Sequence, residues 1–413
     1  MHRALASVLL SAACATAAEE RLGPGGHRYD LTVAPGATPS EPKDLVIGLH
    51  GKGGKKESMA QAVGRAAPAG LKDSHQVWVQ ANTEHWRRDA IPHLAELVRR
   101  LRRELPVRHV ILFGFSAGGF AGSGCLFEHP DAFDAALIAG ATWWGRPASD
   151  EAKRRPIYWS IGDDDGVVKK SGGVEQLRQG LEEVGLPPER WRIDVVPGLG
   201  HTLDGPSLER GFAFLRERLA EDDAVRPADE AALKSLSEAV SKGELETVRA
   251  AVDTLGVRRG EVRRRMAEAI APLLKADEPE PALLGLELAA RMADPSLAGP
   301  LLKARARVKK DASRSLAWVR ALGALEGGAG LPGLIDLLDG WEHDGRVQLG
   351  VAEALGAMGH PGAVDSLIAA LKAAEKKKER ELYAQSLEGA LRAITGVEGR
   401  TGSAAWIAWR KAK

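Results

Sequence analysis

One short run in this chain has residue types and spacing suited to covalent chemistry: Gly114-Phe115-Ser116-Ala117-Gly118. A serine hydroxyl is a weak nucleophile unless a base takes its proton and the local turn leaves its oxygen exposed. Here the apolar residues Val110-Ile111-Leu112-Phe113 precede the run, and the small residues Gly119, Ala121, Gly122, Ser123 and Gly124 follow it. That context predicts a buried strand, a sharp bend at Ser116 and a helix. Glycines two positions to either side remove side chains that would strike the neighbouring strand and helix. A bare Gly-x-Ser-x-Gly can be an ordinary turn; the flanking strand and helix make Ser116 a candidate nucleophile.

Ser116 needs a base, and the base needs an orienting carboxylate. His201, in Gly198-Leu199-Gly200-His201-Thr202, follows the strand-like run ending at Val196. It therefore stands on a loop at the carboxyl end of a strand, from which it can swing over the serine. Its plain alternative is a surface-loop histidine. The carboxylate must come from Asp163, Asp164 or Asp165, after the apolar run 157–161. Three adjacent carboxylates repel one another, so at least one is expected to face water or cap the next helix. His50 is a rival base, but its place before Gly51 suits a structural hydrogen bond better. The stretch His50-Gly51-Lys52-Gly53-Gly54 is not a phosphate loop, because no Gly-Lys-Ser/Thr ending opens a helix. No Cys/His cluster has zinc spacing, and nothing supports a calcium site on the aspartate run, so no metal is expected.

These residues need a scaffold. Between about Asp44 and Leu219, apolar runs at 45–49, 76–80, 110–113, 135–139, 157–161 and 193–196 alternate with helical stretches such as 92–104 and 174–184. Runs of this length fit strands buried on both faces, so the rhythm predicts an α/β domain with a mostly parallel sheet. Residues 29–33 add an antiparallel strand at its edge. After residue 220 strand signals stop, and amphipathic helices recur. Ala321-Leu322-Gly323-Ala324-Leu325 returns as Ala354-Leu355-Gly356-Ala357-Met358, and 354 − 321 = 33. Helix pairs at a fixed spacing predict an all-α solenoid. Those pairs, most clearly 343–372, resemble HEAT repeats, with degenerate copies before Glu278 and an apolar cap of Trp406 and Trp409. The organisation expected is a signal peptide over 1–18, an α/β domain over 19–220, a linker over 221–229 and the helical repeats over 230–413.

At 413 residues with 44% hydrophobic and 27% charged residues, the chain is globular and long enough for two cores. A formal charge of +1 gives no pull toward nucleic acid or an anionic membrane. Arg3, the apolar stretch 4–13 and Ala15-Thr16-Ala17 have the layout of a secretory signal, too short for a stable membrane span, so export is expected. Lipid attachment at Cys14 is the lesser alternative. Cleavage after Cys14 leaves Cys125 alone, with no internal disulfide and the character of a buried structural thiol.

The motifs His50-Gly51-Lys52-Gly53-Gly54, Gly114-Phe115-Ser116-Ala117-Gly118-Gly119, Gly162-x-x-Asp165-x-x-Val168 and Gly200-His201 together resemble the phospholipase/carboxylesterase branch of the α/β-hydrolases. The resemblance covers a little under half the chain, from about 44 to 219. It implies hydrolysis of a carboxylic ester through an acyl-serine, without a cofactor. The triad it implies is Ser116, Asp165 and His201, its Gly-x-x-Asp-x-x-Val register selecting Asp165. It also implies an oxyanion hole made by the backbone amides of Lys52 and Ala117. Lys52 stands where such esterases often carry an apolar residue, which leaves the amide intact and alters the acyl pocket. Trp86, Trp143 and Trp144 fall on loops at the serine's end of the sheet, either as an aromatic substrate lining or as plugs of the core margin. The substrate expected is a small or polymer-linked ester. The competing readings are a peptidase or amidase on the same triad, and a non-catalytic scaffold in which the repeats bind a protein partner. A stabilising appendage without a ligand is the bland alternative for the repeats.

Overall fold

A computed structural model describes residues 18–256, 260–308, 311–340, 345–376 and 380–412. Residues 1–17 of the expected signal peptide, Cys14 among them, and His343 in the repeat stretch lie outside the described residues.

Each apolar run of the first half becomes a strand, because its side chains can be buried on both faces of one sheet. The strands are β1 (Glu19–Leu22), β2 (Arg28–Thr32), β3 (Lys43–Leu49), β4 (His75–Val79), β5 (Val107–Phe115), β6 (Ala135–Ala139), β7 (Ile157–Gly162) and β8 (Trp191–Val196). Their order is β1-β2-β4-β3-β5-β6-β7-β8. From β4 through β8 neighbours are parallel, while β2 runs antiparallel to both β4 and β1. The antiparallel strand expected at 29–33 is thus present but is not the edge. The edge is β1, whose sequence Glu19-Glu20-Arg21-Leu22 has no apolar alternation and reads as an ordinary charged segment.

Alternation along the strands feeds two cores. Leu45, Ile47 and Leu49 face the helices Ala90–Glu104, Ala117–Glu128 and Gly173–Glu183. Val46, Ile111 and Phe113 face the helices Lys56–Ala66 and Gly205–Asp223. The register sets Leu49 beside Gly114 and Phe115 beside Ala139, so β3, β5 and β6 finish nearly level. That level rim is where the candidate residues emerge. Strand order, the antiparallel second strand and helices on both faces make this half an α/β-hydrolase fold.

Among the described residues the second half holds helices and no strand, with one continuous apolar core running from Leu233 to Trp406. The helices Pro279–Met292, Ala312–Ala324, Gly345–Met358 and Glu381–Thr395 form one layer, with starts separated by 312 − 279 = 33, 345 − 312 = 33 and 381 − 345 = 36 residues. The helices Ala298–Val308, Leu331–Gly340 and Val364–Ala374 form the other, again at 33-residue steps (331 − 298 and 364 − 331). Neither layer can bury its apolar face alone, which is why the stack must be continuous. Trp406 closes the far end, fully buried with Trp409 edge-on at 5.7 Å. The stretch 221–229 is not extended chain. Glu221 to Asp223 finish the helix Gly205–Asp223, and Pro227 opens the next, leaving Ala224 to Arg226 as the non-helical join.

The stack rests on the amino ends of the parallel strands, away from Ser116. Its turns meet the second half of the helix Ala90–Glu104 and the start of β5. A side chain at Gly327 would touch Pro106 at 3.5 Å, and one at Gly359 would strike Arg100 at 2.5 Å. Arg100 donates to the carbonyls of Ala393 and Ile394 at 3.2 and 2.7 Å. Those carbonyls end a helix and carry its partial negative charge, so a guanidinium is the matching partner.

Candidate active site

At the end of β5 the chain turns so sharply that Ser116 takes φ 54° and ψ −119°, a conformation that side chains rarely adopt. The surroundings over-determine it. The Ser116 N–H donates to the Ala139 carbonyl at 2.9 Å, and its own carbonyl accepts from Gly119 at 2.9 Å and Phe120 at 3.2 Å. A Cβ at Gly114 would lie 2.3 Å from the Gly118 carbonyl oxygen, and one at Gly118 would lie 2.3 Å from that of Leu49. Both obstacles are backbone, so neither can give way. The Gly-x-Ser-x-Gly spacing follows from this close approach.

The bend delivers the Ser116 hydroxyl to His201, with Oγ and Nε2 2.9 Å apart. The other ring nitrogen, Nδ1, lies 2.8 Å from Asp165 Oδ2. With a carboxylate on Nδ1, that nitrogen carries the proton and Nε2 offers its lone pair to the serine. Asp165 is fully buried and caps the helix Gly166–Lys170, its Oδ1 accepting from Val167 at 2.8 Å and Val168 at 3.1 Å. One oxygen is therefore fixed by the helix and the other is left for His201.

The remaining aspartates have separate partners. Asp164 is exposed and pairs with Lys169 Nζ at 3.1 Å, while Asp163 Oδ1 accepts from the Gly198 N–H at 2.6 Å. Of the three, only Asp165 meets the imidazole.

Gly51 packs directly on the serine, so that a Cβ there would sit 3.3 Å from Ser116 Cβ. This brings the turn at Lys52 beside the bend. Among the described residues neither the Lys52 nor the Ala117 amide has an acceptor. The turn is held from behind: Gly53 N–H donates to the Glu84 carbonyl at 2.6 Å, and Lys52 Nζ stands 3.8 Å from the Glu84 carboxylate in solvent.

His50 is not brought to Ser116. It is buried, and its Nε2 accepts from the Ala81 N–H at 3.1 Å. Nδ1 therefore carries the proton and donates to the Gly51 carbonyl at 2.7 Å. Burial pushes the pKa of this imidazole down, consistent with a neutral structural ring tying the end of β3 to the end of β4.

The three tryptophans divide. Trp86 is 1% exposed, donates its indole N–H to the His50 carbonyl at 2.8 Å and stacks on His27 at 5.8 Å. It borders a cavity of about 220 Å³ shared with His27 and His93, which Ser116 does not line. Trp143 meets Phe127 edge-on at 5.8 Å, and Trp144 stacks on Phe120 at 5.8 Å, both half-buried on the helix that follows the serine. Trp86 is a plug of the core margin, and the loop pair belongs to the flank of the serine helix. Cys125 lies fully buried in that helix, and burial pushes its thiol pKa up.

Two contributors were not singled out from the sequence. Phe115 sets its ring 4.9 Å from that of His201. Gly140, at φ 59°, leaves room beneath the histidine, since a Cβ there would lie 3.2 Å from both His201 Cε1 and Asp165 Oδ2. A glycine directly after a buried strand was the available hint.

Residues 347–373 match the PBS lyase HEAT-like repeat. No curated protein matches the chain. The first half is similar to solved structures at low identity. A Thermus thermophilus protein is 20% identical over 49% of this chain and 99% of its own, with a TM-score of 0.36. A thermostable esterase is 20% identical over 50% and 62%, with a TM-score of 0.38. The Bacillus cereus carboxylesterase is 14% identical over 47% and 95%, with a TM-score of 0.36. Likenesses of this size lend no weight to a reaction. The strand order and the match at 347–373 stand on their own: this chain is an α/β-hydrolase fold continued by a HEAT-like helical stack.

Proposed function

We propose that the protein is a serine esterase that hydrolyses carboxylic esters through an acyl-serine. The observation that carries this reading is the unbroken hydrogen-bonded chain from Ser116 Oγ through His201 to Asp165, at 2.9 and 2.8 Å, running from an exposed imidazole to a buried carboxylate. Ser116 Oγ attacks the ester carbonyl while His201 Nε2 takes its proton. Asp165 keeps the ring in the required tautomer and faces the positive charge that forms. The tetrahedral oxyanion is received by the amides of Lys52 and Ala117, whose N–H groups have no partner to give up. His201 returns the proton to the leaving alcohol, and a water activated by the same imidazole releases the acid. All these groups come from the chain itself, and the scheme calls on no metal or cofactor.

A fluorophosphonate probe tests the nucleophile. Labelling of Ser116, lost in Ser116→Ala, is expected, together with a fall in ester turnover of about 10⁴-fold or more and no change in melting temperature. An unlabelled wild-type protein rules the esterase out. Matched p-nitrophenyl acyl esters and anilides then separate ester from amide hydrolysis, with esters expected to be cleaved faster.

A further inference from the structure

We propose that Asp163 is a positioning residue that holds the loop carrying His201. The inference rests on the reading of His201 as the base. His201 lies on a short connection between β8 and the helix Gly205–Asp223, and packing does little to fix it. No side chain from Pro197 to Thr202 is buried, Gly198 adopts φ 68°, and a side chain at Gly200 would meet nothing within 4 Å. An imidazole that must stay within hydrogen-bond reach of two partners is therefore mounted on exposed, glycine-rich chain.

What constrains that chain comes from one place. The turn Gly162 to Asp164 donates two backbone N–H groups to it, Asp163 to the Val196 carbonyl and Asp164 to the Leu199 carbonyl, both at 3.1 Å. The Gly162 backbone approaches so closely that a Cβ would lie 1.9 Å from the Leu199 oxygen. The Asp163 carboxylate then closes the clamp from the other side, accepting the Gly198 N–H at 2.6 Å, a short charge-assisted bond. Among the described residues it is the single side-chain hydrogen bond to residues 197–202 apart from those of His201 itself; the next side-chain bond, from the Ser207 N–H to Asp204 Oδ2 at 2.8 Å, caps the following helix. The turn that supplies Asp165 to the imidazole thus also sets the height of the loop, so acid and base move as one unit. Asp164, one residue on, points away to Lys169 and serves as a built-in control.

The test compares Asp163→Ala, Asp163→Asn and Asp164→Ala in the full chain. Two quantities are read: kcat and KM on p-nitrophenyl acetate, and the downfield proton resonance of His201 Nδ1–H, assigned by its loss in His201→Ala. Removing the clamp in Asp163→Ala is expected to lower kcat about tenfold with KM changed less than twofold, because reacting atoms a fraction of an ångström out of place lose rate rather than binding. The resonance is expected to broaden as the imidazole exchanges with water. Asp163→Asn keeps an acceptor oxygen and should recover most of kcat and a sharp resonance, and Asp164→Ala should match wild type in both. Wild-type kcat and a sharp resonance in Asp163→Ala overturn the proposal, as does an Asn variant no better than Ala. A wild-type protein inert to esters and to the fluorophosphonate overturns the reading of His201 as base instead, and the resonance comparison still decides the clamp.

Discussion

The two ends of the sheet are built by opposite means. At the carboxyl ends, backbone meets backbone at distances that admit no side chain, and a single strained residue carries the Ser116 hydroxyl. At the amino ends, separate polar contacts do the holding: some reach the helical stack, and others pin the helix Gly205–Asp223, which leads into it, against the strands. Arg100 meets helix-end carbonyls of the stack, while within the first half Arg108 pairs with Asp223 and Arg216 with Asp44. Buried His109 bridges Asp44 at 3.3 Å and Asp223 at 3.1 Å. The contrast separates precision from adhesion. The serine end has no redundancy, since one atom in the wrong place blocks the bend, whereas the amino ends spread their hold over several pairs.

The comparison is broken most severely by Gly118→Ala. Its Cβ collides with the Leu49 carbonyl, which is expected to cost about 1–3 kcal/mol of stability and at least about 10²-fold in ester turnover. Thermal melts and kcat check the two effects; near-normal turnover would mean that the close approach is not needed. Next in size is Leu355→Ala, which hollows the stack at a fully buried position. A loss of about 2–5 kcal/mol is expected in denaturant titration, with ester turnover unchanged at temperatures below the melt.

A gentler probe sharpens the amino-end contacts that fix the helix Gly205–Asp223. Burial pushes His109 down, but its hydrogen bonds to Asp223 and Asp44 prevail and its pKa is raised above 6.5. A raised pKa means that the stability it adds is complete below about 6.5 and is lost as pH climbs through the folded value. The melting temperature should therefore fall on the alkaline side, and His109→Gln should flatten that slope. Asp44 and Asp223 shift the other way: burial raises each, but His109 together with Arg216 at Asp44 and Arg108 at Asp223 outweighs it, and both finish lowered. Their share is lost only in acid, as pH drops through those depressed values. The smallest effect belongs to Arg100→Ala, about 1 kcal/mol or less in a melt for one guanidinium among several contacts at helix ends.

How much could be read from residues alone follows the same division. The serine bend was legible because its requirement is steric and local: two glycines at fixed offsets, an apolar strand before, a helix after. The 33-residue register was legible because each pair of helices repeats one burial problem. Asp163 was opaque, since three consecutive aspartates look alike until the loop from β8 folds back on one of them. Strand β1 was invisible because Glu19-Glu20-Arg21-Leu22 pairs through its backbone rather than its side chains. The docking surface was hidden for a related reason. Arginines at 99, 100, 102 and 103 read as the wet face of a helix, and a far segment of chain is what turns Arg100 into an anchor.

The position of the stack also governs traffic. Because it sits at the pole opposite the serine, an incoming molecule need not thread past it. On the esterase reading, an ester carried on a long polymer would reach Ser116 without meeting the helical half of the chain. Anything gripped by that half would ride behind, leaving the open face pointed at its quarry.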